Sequence, residues 1–311
     1  MERMVLAYSG GLDASAIPWL AERYGAQIIA VTIDLGQGRE LEAVRDHALA
    51  TGALRAHVLD AREEFANRYL ARALKADALY DDRRSMAEAL GQPLTAQKLV
   101  EIAEIEQTAA VVHAGAGEER IGVAVRALNP LITVIAPGQP WGPAHTEAAG
   151  LSSAECPDEP ACVELAFERG IPASINGIAM PLLDLIGSLD IIAGVHGVGR
   201  RGRLETPAAL VLHIAHRELQ AATSSEETRR FSHVVSRQYI DILDNGSWFS
   251  PLREALDAYV DTIHTQVDGV VRLTLFKGDC TIVDLRPATV TDTVRATPVK
   301  PLTFIGTVNP Q

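Results

Sequence analysis

The sequence has few of the features that mark secreted, membrane-spanning or metal-binding proteins. Its three cysteines, Cys156, Cys162 and Cys280, lack CxxC spacing, which predicts reduced thiols and argues against a disulfide framework or a zinc site. No apolar run approaches the length of about 18 residues that a membrane helix needs, and the N-terminal Met-Glu-Arg-Met leads directly into an apolar strand pattern instead of a signal peptide. These absences predict a cytoplasmic protein without a membrane partner.

Basic residues are also scarce. The chain has 28 Lys and Arg against 40 Asp and Glu, which gives a net charge of −12 and an isoelectric point near 5.2. Because non-specific affinity for nucleic acid comes from clustered Lys and Arg, this balance predicts no nucleic-acid partner. The apolar share of 47% over 311 residues is enough to build two cores, so we expect two domains.

One segment near the N-terminus carries most of the functional information. Residues 5–15 read Val-Leu-Ala-Tyr-Ser-Gly-Gly-Leu-Asp-Ala-Ser, an apolar strand that breaks at Ser9-Gly10-Gly11 and gives way to a helical pattern. The two glycines accept backbone angles closed to other residues and leave the N–H groups accessible, so these can converge on an anion at the helix N-terminus. The segment matches neither a Walker A loop nor the Rossmann spacing. It predicts a phosphate-binding loop; a plain strand-to-helix turn is the alternative.

Hydroxyl and carboxylate groups support the phosphate-binding interpretation. Ser9 and Ser15 supply donors for phosphate oxygens, and Asp13 is a suitable ligand for the Mg²⁺ that accompanies a triphosphate. The loop follows the first predicted strand, and open α/β sheets bind ligands at the carboxyl ends of their strands. The sequence therefore predicts that a triphosphate and Mg²⁺ bind at this loop.

Short Val/Ile/Ala runs alternate with amphipathic stretches through the first half of the chain. Strands are predicted at 4–7, 27–33, 55–59, 110–113 and 133–136, and helices at 15–24, 40–51, 63–74 and 92–106. Buried strands separated by helices predict an α/β fold with a parallel, doubly wound sheet.

A linker-like tract begins at Pro137-Gly138-Gln139-Pro140, which predicts domains at 1–145 and 146–285 and a C-terminal tail or arm at 286–311. The second half shows strand patterns at 161–168, 209–213, 269–276 and 280–285 and helical patterns at 181–196 and 250–267, which predicts a smaller α+β domain. His213 and His216 fall in or beside the apolar run 210–215. We expect them to be a packed pair near a sheet edge rather than metal ligands.

At this point the motifs resemble one known family. Residues 8–15 resemble the pyrophosphatase loop of N-type ATP pyrophosphatases, and Asp34-Leu-Gly-Gln-Gly38 is similar to the matching segment of argininosuccinate synthases. Further blocks resemble that family in the same order: 60–65, 74–80, 135–137, 196–200, 205–208 and 248–259. The resemblance therefore extends from the first strand to about residue 285.

The resemblance implies both a fold and a chemistry. It implies an adenine nucleotide alpha hydrolase-like first domain and a ligase that uses ATP and Mg²⁺ to adenylate the ureido oxygen of citrulline, release pyrophosphate and let the aspartate amine displace AMP. Asp13 would hold the metal and, with Ser15, take a catalytic role. The residues implied in ATP binding are Ala7, Tyr8, Ser9, Gly10, Gly11, Leu12, Asp13, Ser15, Ile33 and Gly115. Small-molecule substrates and a homo-oligomer are also implied.

The part of the sequence that would bind the amino acids departs from the family. Tyr80 matches a tyrosine that contacts citrulline, but Glu88 stands where the family has a small hydroxyl residue. The segment from His113 to Arg120 is shorter than its counterpart, the family's aspartate-contacting Thr is Ala116, and an Asn-Asp pair is missing. Arg120 is either the guanidinium that holds a substrate carboxylate or a solvated loop residue.

Whole segments are absent as well. A family block of the Ser-Ile-Asp-Glu-Asn-Leu-Trp-Gly-Arg type, which supplies substrate serines, has no counterpart between Pro137 and Asp158. Another segment is missing between Arg200 and Glu205, where a family tyrosine is Leu204. The arm that family members exchange between subunits is not recognisable after Leu285. Each lost polar contact costs about 1–3 kcal/mol, so we expect an acceptor pair altered from citrulline plus aspartate.

Three functions follow from these observations. The first is a working ligase of this family with a changed acceptor pair. The second keeps the adenylation but passes the activated carbon to a sulfur or ammonia donor, and the lack of a cysteine in a loop expected over the nucleotide argues against it. The third is a nucleotide-binding regulator or inactive paralogue. Retention of the complete Ser-Gly-Gly-Leu-Asp loop argues against this third function.

Overall fold

A computed structural model of the chain describes residues 2–8, 15–37, 40–81, 84–113, 118–137, 156–199 and 206–288. Contacts group the chain into two compact units. The first comprises 1–70, 86–147 and 238–255, and the second comprises 71–85, 148–237 and 256–311. The predicted domain boundary near residue 145 lies outside the described residues, as does most of the predicted tail at 286–311.

The strands fall into two main sheets and one short hairpin. Those of the first sheet are β1 (Glu2–Ala7), β2 (Ala26–Asp34), β3 (Arg55–Asp60), β6 (Ala110–Val112) and β7 (Thr133–Ile135). The hairpin is β4 (Tyr80–Asp81) with β5 (Arg84–Ser85). Those of the second sheet are β8 (Ala161–Glu168), β9 (Ile171–Ile175), β10 (Ile178–Ala179), β11 (Gly269–Phe276) and β12 (Asp279–Pro287).

Helices occupy much of the remaining described chain. They are α1 (Ala16–Tyr24), α2 (Leu41–Ala50), α3 (Arg62–Glu64), α4 (Ala71–Lys75), α5 (Ala87–Ile105), α6 (Glu118–Leu128), α7 (Leu182–Val195), α8 (Pro207–Thr223), α9 (Glu226–Asp244) and α10 (Pro251–Ile263). A π-helical segment, Phe65–Leu70, joins α3 to α4. Within the described parts of the chain, no helix has both the length and the apolar character needed to cross a membrane.

The first sheet is parallel throughout and has the strand order β3-β2-β1-β6-β7. Its inner strands are almost wholly buried, as in β2, where eight of nine residues are buried. Apolar residues on both faces of a parallel sheet require helices on both sides, which explains why the strands read as continuous Val/Ile/Ala runs. The predicted α/β fold is confirmed, and the five predicted strands lie close to their predicted positions.

A buried carboxylate ties the end of α5 to the first sheet. The Glu106 side chain is 1% exposed and accepts hydrogen bonds from Arg55 Nη1 at 2.7 and 2.9 Å. His57 Nε2 lies 3.0 Å from the same carboxylate. Burial alone would raise the pKa of Glu106, but the hydrogen bonds from Arg55 and His57 hold it below its ordinary value. The helix end is therefore fixed to β3 by charge as well as by packing.

The second sheet is antiparallel and has the order β10-β9-β8-β11-β12. Alternate residues of β8 and β11 are buried, among them Val163, Leu165 and Leu273, because one face of this sheet packs on helices and the other does not. Helix α8 lies against β11 and β12. This arrangement confirms the predicted α+β character of the second half.

One predicted strand of the second half is wrong. Residues 209–213 belong to helix α8, which places Pro207 in its first turn. The buried residues of this helix recur at helical spacing, as in Val211, Ala215 and Leu219. The run 210–215 is too short for its period to be distinguished, and the helical pattern emerges only when residues 216–223 are included. Consequently His213 and His216 lie on a helix and not on a strand, and His216 pairs with His264 instead of with His213.

Other elements differ in extent. The predicted helix at 63–74 is divided by the π-helical segment, and α5 begins five residues before its predicted start, with Pro93 inside it. The predicted helix at 250–267 ends at Ile263 and continues as a short 3₁₀ turn. Helix α9 was not predicted, although its apolar residues recur at helical spacing opposite a charged face.

Two histidines form a buried pair inside the second unit. The rings of His216 and His264 are stacked with centroids 5.1 Å apart, and their Nε2 atoms are 3.1 Å apart. His264 Nδ1 lies 2.7 Å from the Val260 carbonyl, so Nδ1 donates and Nε2 is left to accept from His216. A side chain at Gly170, which has φ of +76°, would collide with the His264 ring. The pair is therefore closely packed on all sides and is neutral in the folded protein.

This pair predicts a loss of stability in mild acid. Burial lowers the pKa of His264 to about 4 and the pKa of His216 well below its ordinary value. The unfolded chain takes up these protons near pH 6.5, so the stabilisation is complete above that pH and is lost as the pH falls towards 4. For His264 alone the loss approaches about 3 kcal/mol. Urea unfolding at pH values between 7.5 and 4.5 measures this change in the free energy of unfolding.

A substitution isolates the histidine contribution. Burial raises the pKa of Asp77 and of Asp257 to about 6, and these carboxyls contribute a slope of the opposite sign in the same range. The His264→Gln variant should therefore lose stability less steeply with falling pH than the unsubstituted protein, while His47→Gln, at an exposed position of α2, should match it. Equal slopes for all three proteins would contradict the assignment.

Candidate functional site

The carboxyl ends of the parallel strands meet at one edge of the first sheet. The chain winds from β1 to β3 on one side and places β6 and β7 on the other, so the direction of winding reverses between β1 and β6. Ligands of open α/β sheets bind in the crevice at this point. Tyr8 follows β1 there and His113 follows β6. The geometry selects these two strand ends as the candidate site of the first unit.

The loops that continue from these strand ends lie outside the described residues. They contain Ser9, Gly10, Gly11, Leu12 and Asp13 after β1 and Gly115 and Ala116 after β6. Among the described residues no group of three or more His, Cys, Asp or Glu side chains is arranged to hold a metal ion. The roles predicted for the loop residues, including metal binding by Asp13, therefore stay predictions.

Tyr8 fixes the backbone at the start of the predicted phosphate loop. Its N–H donates to the Val31 carbonyl at 2.8 Å, and its own carbonyl accepts the Thr32 hydroxyl at 2.8 Å. The ring is buried and stacks near His47, and this burial raises the pKa of the phenol. Its hydroxyl is buried without a hydrogen-bond partner among the described residues. Both backbone groups of Tyr8 are thus held by β2 just before the chain enters the loop.

His113 occupies the matching position after β6. Its N–H donates to the Ile135 carbonyl at 3.2 Å, which extends the pairing of β6 with β7 by one residue. Burial lowers the pKa of His113 to about 4, so the ring is neutral at pH 7. Nδ1 is buried and has no hydrogen-bond partner within the described part of the chain. Unsatisfied polar atoms of this kind are rare in folded proteins, and two of them flank the crevice.

The end of β2 forms a closely hydrogen-bonded turn. Asp34 Oδ1 accepts the Gly36 N–H at 2.9 Å, and Gln37 Nε2 donates to the Ile33 carbonyl at 2.7 Å. Gly36 has φ of +99°, which a residue with a side chain would adopt only with strain. The carbonyl of Ile33 is therefore already engaged, and the side chain of Ile33 is buried.

Arg62 links the ends of β2 and β3. Its guanidinium lies 3.3 Å from Asp34 Oδ2 and donates to Asp60 at 2.6 Å. The hydrogen bonds from Arg62 lower the pKa of Asp60 to about 2, so the Asp60 carboxylate is ionised at neutral pH. Acidic side chains therefore lie at the carboxyl ends of β2 and β3. Asp34 and Asp60 each begin one of the sequence blocks that resemble the family.

Two other predicted ATP-binding residues of the first unit lie next to the loop. Ala7 is the last residue of β1 and is half-buried. Ser15 is exposed and immediately precedes α1, where its carbonyl accepts the Trp19 N–H at 2.9 Å. The loop between them therefore runs from a strand end to a helix N-terminus, which is the arrangement that binds phosphate through backbone N–H groups.

The predicted substrate residue Tyr80 lies in the second unit. Its hydroxyl is 2.7 Å from Thr206 Oγ1, and its ring centroid is 5.1 Å from that of His213. Thr206 precedes α8, whose first turn is held by Asp190 Oδ1 accepting the Ala208 N–H at 2.7 Å. Burial raises the pKa of Tyr80 and of Asp190.

Thr206, His213 and Asp190 were not predicted from the sequence to lie near Tyr80. Two of them could have been assigned from the sequence. Thr206 belongs to the Glu-Thr-Pro block that resembles the family, and His213 follows it a few residues later. Asp190 offered a weaker signal, as an acidic residue inside a largely apolar helix.

The other two predicted substrate residues belong to the first unit. Glu88 is exposed in the first turn of α5. Arg120 is half-buried in the first turn of α6, not in a loop, and a side chain at Gly246 would collide with its backbone. Within the described residues the Arg120 guanidinium has neither a hydrogen-bond partner nor an ion-pair partner. This leaves it available to an anion, in line with the first of the two interpretations of its sequence position.

The chain matches two family models in succession. The first is described as arginosuccinate synthase N-terminal HUP domain and covers residues 3–153, and the second is the arginosuccinate synthase C-terminal domain at residues 148–290. Together they span nearly the whole chain. No other family is needed to account for its length.

Named relatives agree with these models. Argininosuccinate synthase of Thermoanaerobacter sp. strain X514 is 37% identical over 345 aligned residues, which cover 89% of this chain and 84% of the relative. The enzyme of the same name from Pelotomaculum thermopropionicum is 37% identical, with coverage of 90% and 87%. A solved structure described as a predicted subunit of tRNA methyltransferase from Methanocaldococcus jannaschii matches with 12% identity over 44% of this chain and 69% of the other, but its TM-score of 0.29 carries no argument.

The alignment also measures how much this chain lacks. It extends over 345 positions, whereas the whole chain has 311 residues. Several tens of aligned positions therefore have no counterpart here.

The hydrogen bond from Thr32 to Tyr8 gives a test of the site in the first unit. Thr32→Val removes the hydroxyl that holds the Tyr8 carbonyl and should cost about 1 kcal/mol of stability. It should also weaken ATP binding by about fivefold, roughly 1 kcal/mol, because the loop would begin from a less fixed backbone. Thr32→Ser keeps the hydroxyl and serves as the control. Titration calorimetry with ATP compares them, and an unchanged ATP affinity in folded Thr32→Val would show that this bond does not support the site.

Proposed function

The chain belongs to the argininosuccinate synthase family, and from this we propose that it is an ATP-dependent ligase that forms AMP and pyrophosphate. It adenylates a ureido or related carbonyl oxygen and joins the activated carbon to an amine. The observation that carries the proposal is the position of the two described residues that flank the Ser9-Gly10-Gly11 segment: Tyr8 follows β1 where the sheet reverses its winding, and Ser15 precedes α1. The family models and the named relatives support the same reaction class.

The loop supplies what pyrophosphate release requires. Backbone N–H groups from Ser9 to Asp13 would hold the β- and γ-phosphates, with Ser9 and Ser15 adding hydroxyl donors. Negative charge grows on the leaving pyrophosphate as the α-phosphorus is attacked, and donors fixed in advance stabilise that charge without reorganisation. When bound through Asp13, Mg²⁺ would share this charge. Ala7, Tyr8, Ile33 and Gly115 would surround the nucleoside.

The polar atoms buried around the strand edge fit a nucleotide. The Tyr8 hydroxyl and His113 Nδ1 are both buried without partners among the described residues. A nucleoside has hydroxyl and ring nitrogen groups of both donor and acceptor kind, and neutral His113 offers one acceptor and one donor. The ionised Asp60 would keep a polyanion away from the β3 side. The phosphates are thereby directed to the loop after β1.

We further propose that the acceptor pair differs from citrulline plus aspartate. In the first unit the family threonine is replaced by Ala116 and the small hydroxyl residue by exposed Glu88, which is a carboxylate where a neutral donor is expected. Arg120 remains available for a substrate carboxylate. Tyr80 is retained, but its hydroxyl is engaged by Thr206. The missing segments remove further polar contacts, so the site recognises a different pair of small molecules.

The cysteines weigh against sulfur transfer, the second function considered. Cys156 is buried, and burial raises the pKa of Cys280 to about 12, which leaves its thiol protonated at neutral pH. Cys162 is exposed, but it lies on β8 of the antiparallel sheet and not in one of the loops that follow the parallel strands. A nucleotide-binding regulator or inactive paralogue finds no specific support in the described residues.

Asp13 gives a test of the chemical step. If it manages charge on Mg²⁺ and pyrophosphate, Asp13→Asn should slow pyrophosphate release at least about tenfold more than it weakens ATP binding, because that charge grows in the transition state. Single-turnover pyrophosphate release and ATP titration measure the two effects. Asp46→Asn, at an exposed carboxylate of α2 paired with Arg45, is the control and should change neither. Equal losses in rate and affinity would mark Asp13 as a simple ground-state contact.

A second test addresses the acceptor pair. Citrulline plus aspartate should give argininosuccinate at least about 100-fold less efficiently, in kcat/KM, than the Thermoanaerobacter relative assayed in parallel, because two uncompensated polar losses already cost about 2–3 kcal/mol. Both enzymes should release pyrophosphate only with an acceptor present. A rate within about tenfold of the relative, a difference of only about 1.4 kcal/mol, would show that this chain is an ordinary, compacted synthase.

A further inference from the structure

The second unit contains a cavity that the ligase reaction does not use. It has a volume of about 260 Å³ and lies among the 75–77 segment, α8, α9 and α10. Its polar lining includes Arg217, Arg229, His233, Asp77, Ser232 and Tyr259. None of these residues is among those predicted to bind ATP or the amino-acid substrates. The cavity therefore requires an explanation of its own.

The cationic side chains of this cavity differ in whether they already have partners. Lys75 is paired with Asp261, so its charge is neutralised within the unit. Arg217 and His233 have no hydrogen-bond or ion-pair partner among the described residues. Arg229 donates only to the Ala221 carbonyl, at 3.1 Å, and no carboxylate of the described chain offsets its charge. Two guanidinium groups from different helices thus line one cavity with no carboxylate at ion-pair distance among the described residues, although Asp77 lies in the same lining.

Two nearby arginines of α9 differ from those of the cavity because each has an acidic partner. Arg230, one residue further along α9, is paired with Glu226, and Arg237 donates to Asp81 at 2.6 Å. These two arginines of the second unit therefore have acidic partners, whereas Arg217 and Arg229, which line the cavity, have none at ion-pair distance among the described residues.

The remaining walls add an acid and an apolar surface. Asp77 Oδ1 lies 3.3 Å from His213 Nδ1, and its burial raises the pKa to about 6 although Arg217 and His233 act to lower it. Val235, Val260 and Ile263 provide apolar contact. A bound molecule could therefore contact the guanidinium groups, the Asp77 carboxyl group and apolar side chains in the same cavity.

We propose that this cavity is a binding site for a small organic anion, a carboxylate or phosphate compound held by Arg217 and Arg229 with His233 beside them. Planar guanidinium groups bind carboxylate and phosphate through paired N–H donors, which suits two of them facing one cavity. The volume is sufficient for a compound of a few carbon atoms. Ser232, Tyr259 and Asp77 offer hydrogen bonds to a hydroxyl group on the same molecule.

The test uses malate and inorganic phosphate as probes of the full-length protein. Phosphate is also expected to bind the loop after β1, so the readout must be local. The imidazole NMR signals of His233, assigned by their loss in His233→Gln, report on this cavity alone. We expect malate or phosphate to shift these signals with saturation in the low millimolar range, about −4 kcal/mol of binding free energy.

Two substitutions and one control decide the outcome. Arg217→Gln and Arg229→Gln should each weaken the binding seen at His233 by about tenfold or more, whereas Arg230→Gln, at a paired arginine of the same helix, should leave it within about twofold. Circular dichroism checks that each variant is folded. The proposal is overturned if neither probe shifts the His233 signals, or if the shifts persist with unchanged affinity in Arg217→Gln and Arg229→Gln.

Discussion

The parallel pairing of β1 with both β2 and β6 is the constraint on which the candidate site depends. This pairing brings Tyr8 and His113 to the same edge of the sheet and places the reversal of winding between them. It also holds Tyr8 through Val31 and Thr32, so the loop that follows starts from a fixed point. A phosphate-binding loop acts through backbone N–H groups, which are only as well placed as the strand and helix at its two ends. The first unit supplies both ends.

The second unit has a packed interior and, apart from it, two groups of polar side chains that are candidates for binding small molecules. His216 and His264 are enclosed and remain neutral, so they contribute to stability and not to catalysis. Tyr80, Thr206 and His213 form a connected group around the start of α8, and its tyrosine matches a substrate contact of the family. Arg217 and Arg229 face a separate cavity. Helix α8 thus takes part in the core, in the predicted substrate region and in the proposed anion site.

The sequence predicted the first sheet well because its strands are buried on both faces and read as uninterrupted apolar runs. It failed at 209–213, where a five-residue window cannot separate a helix from a strand, and it missed α9, although apolar residues recur there at helical spacing. The Ser9-Gly10-Gly11 loop could be recognised from residue types alone. The environment of Tyr80 could not, because Thr206 and His213 are more than 120 residues away and only the fold brings them together.

The products of ATP turnover test the account most directly. The protein is incubated with ATP and Mg²⁺ and a panel of ureido, guanidino and carboxylate compounds, each with and without amines, and the nucleotide and phosphate products are separated. The account predicts AMP and pyrophosphate in equal amounts, formed only with certain acceptors and lost in Gly11→Val, whose branched side chain would occupy the phosphate position. Formation of ADP and phosphate, or turnover that survives in folded Gly11→Val, would contradict it.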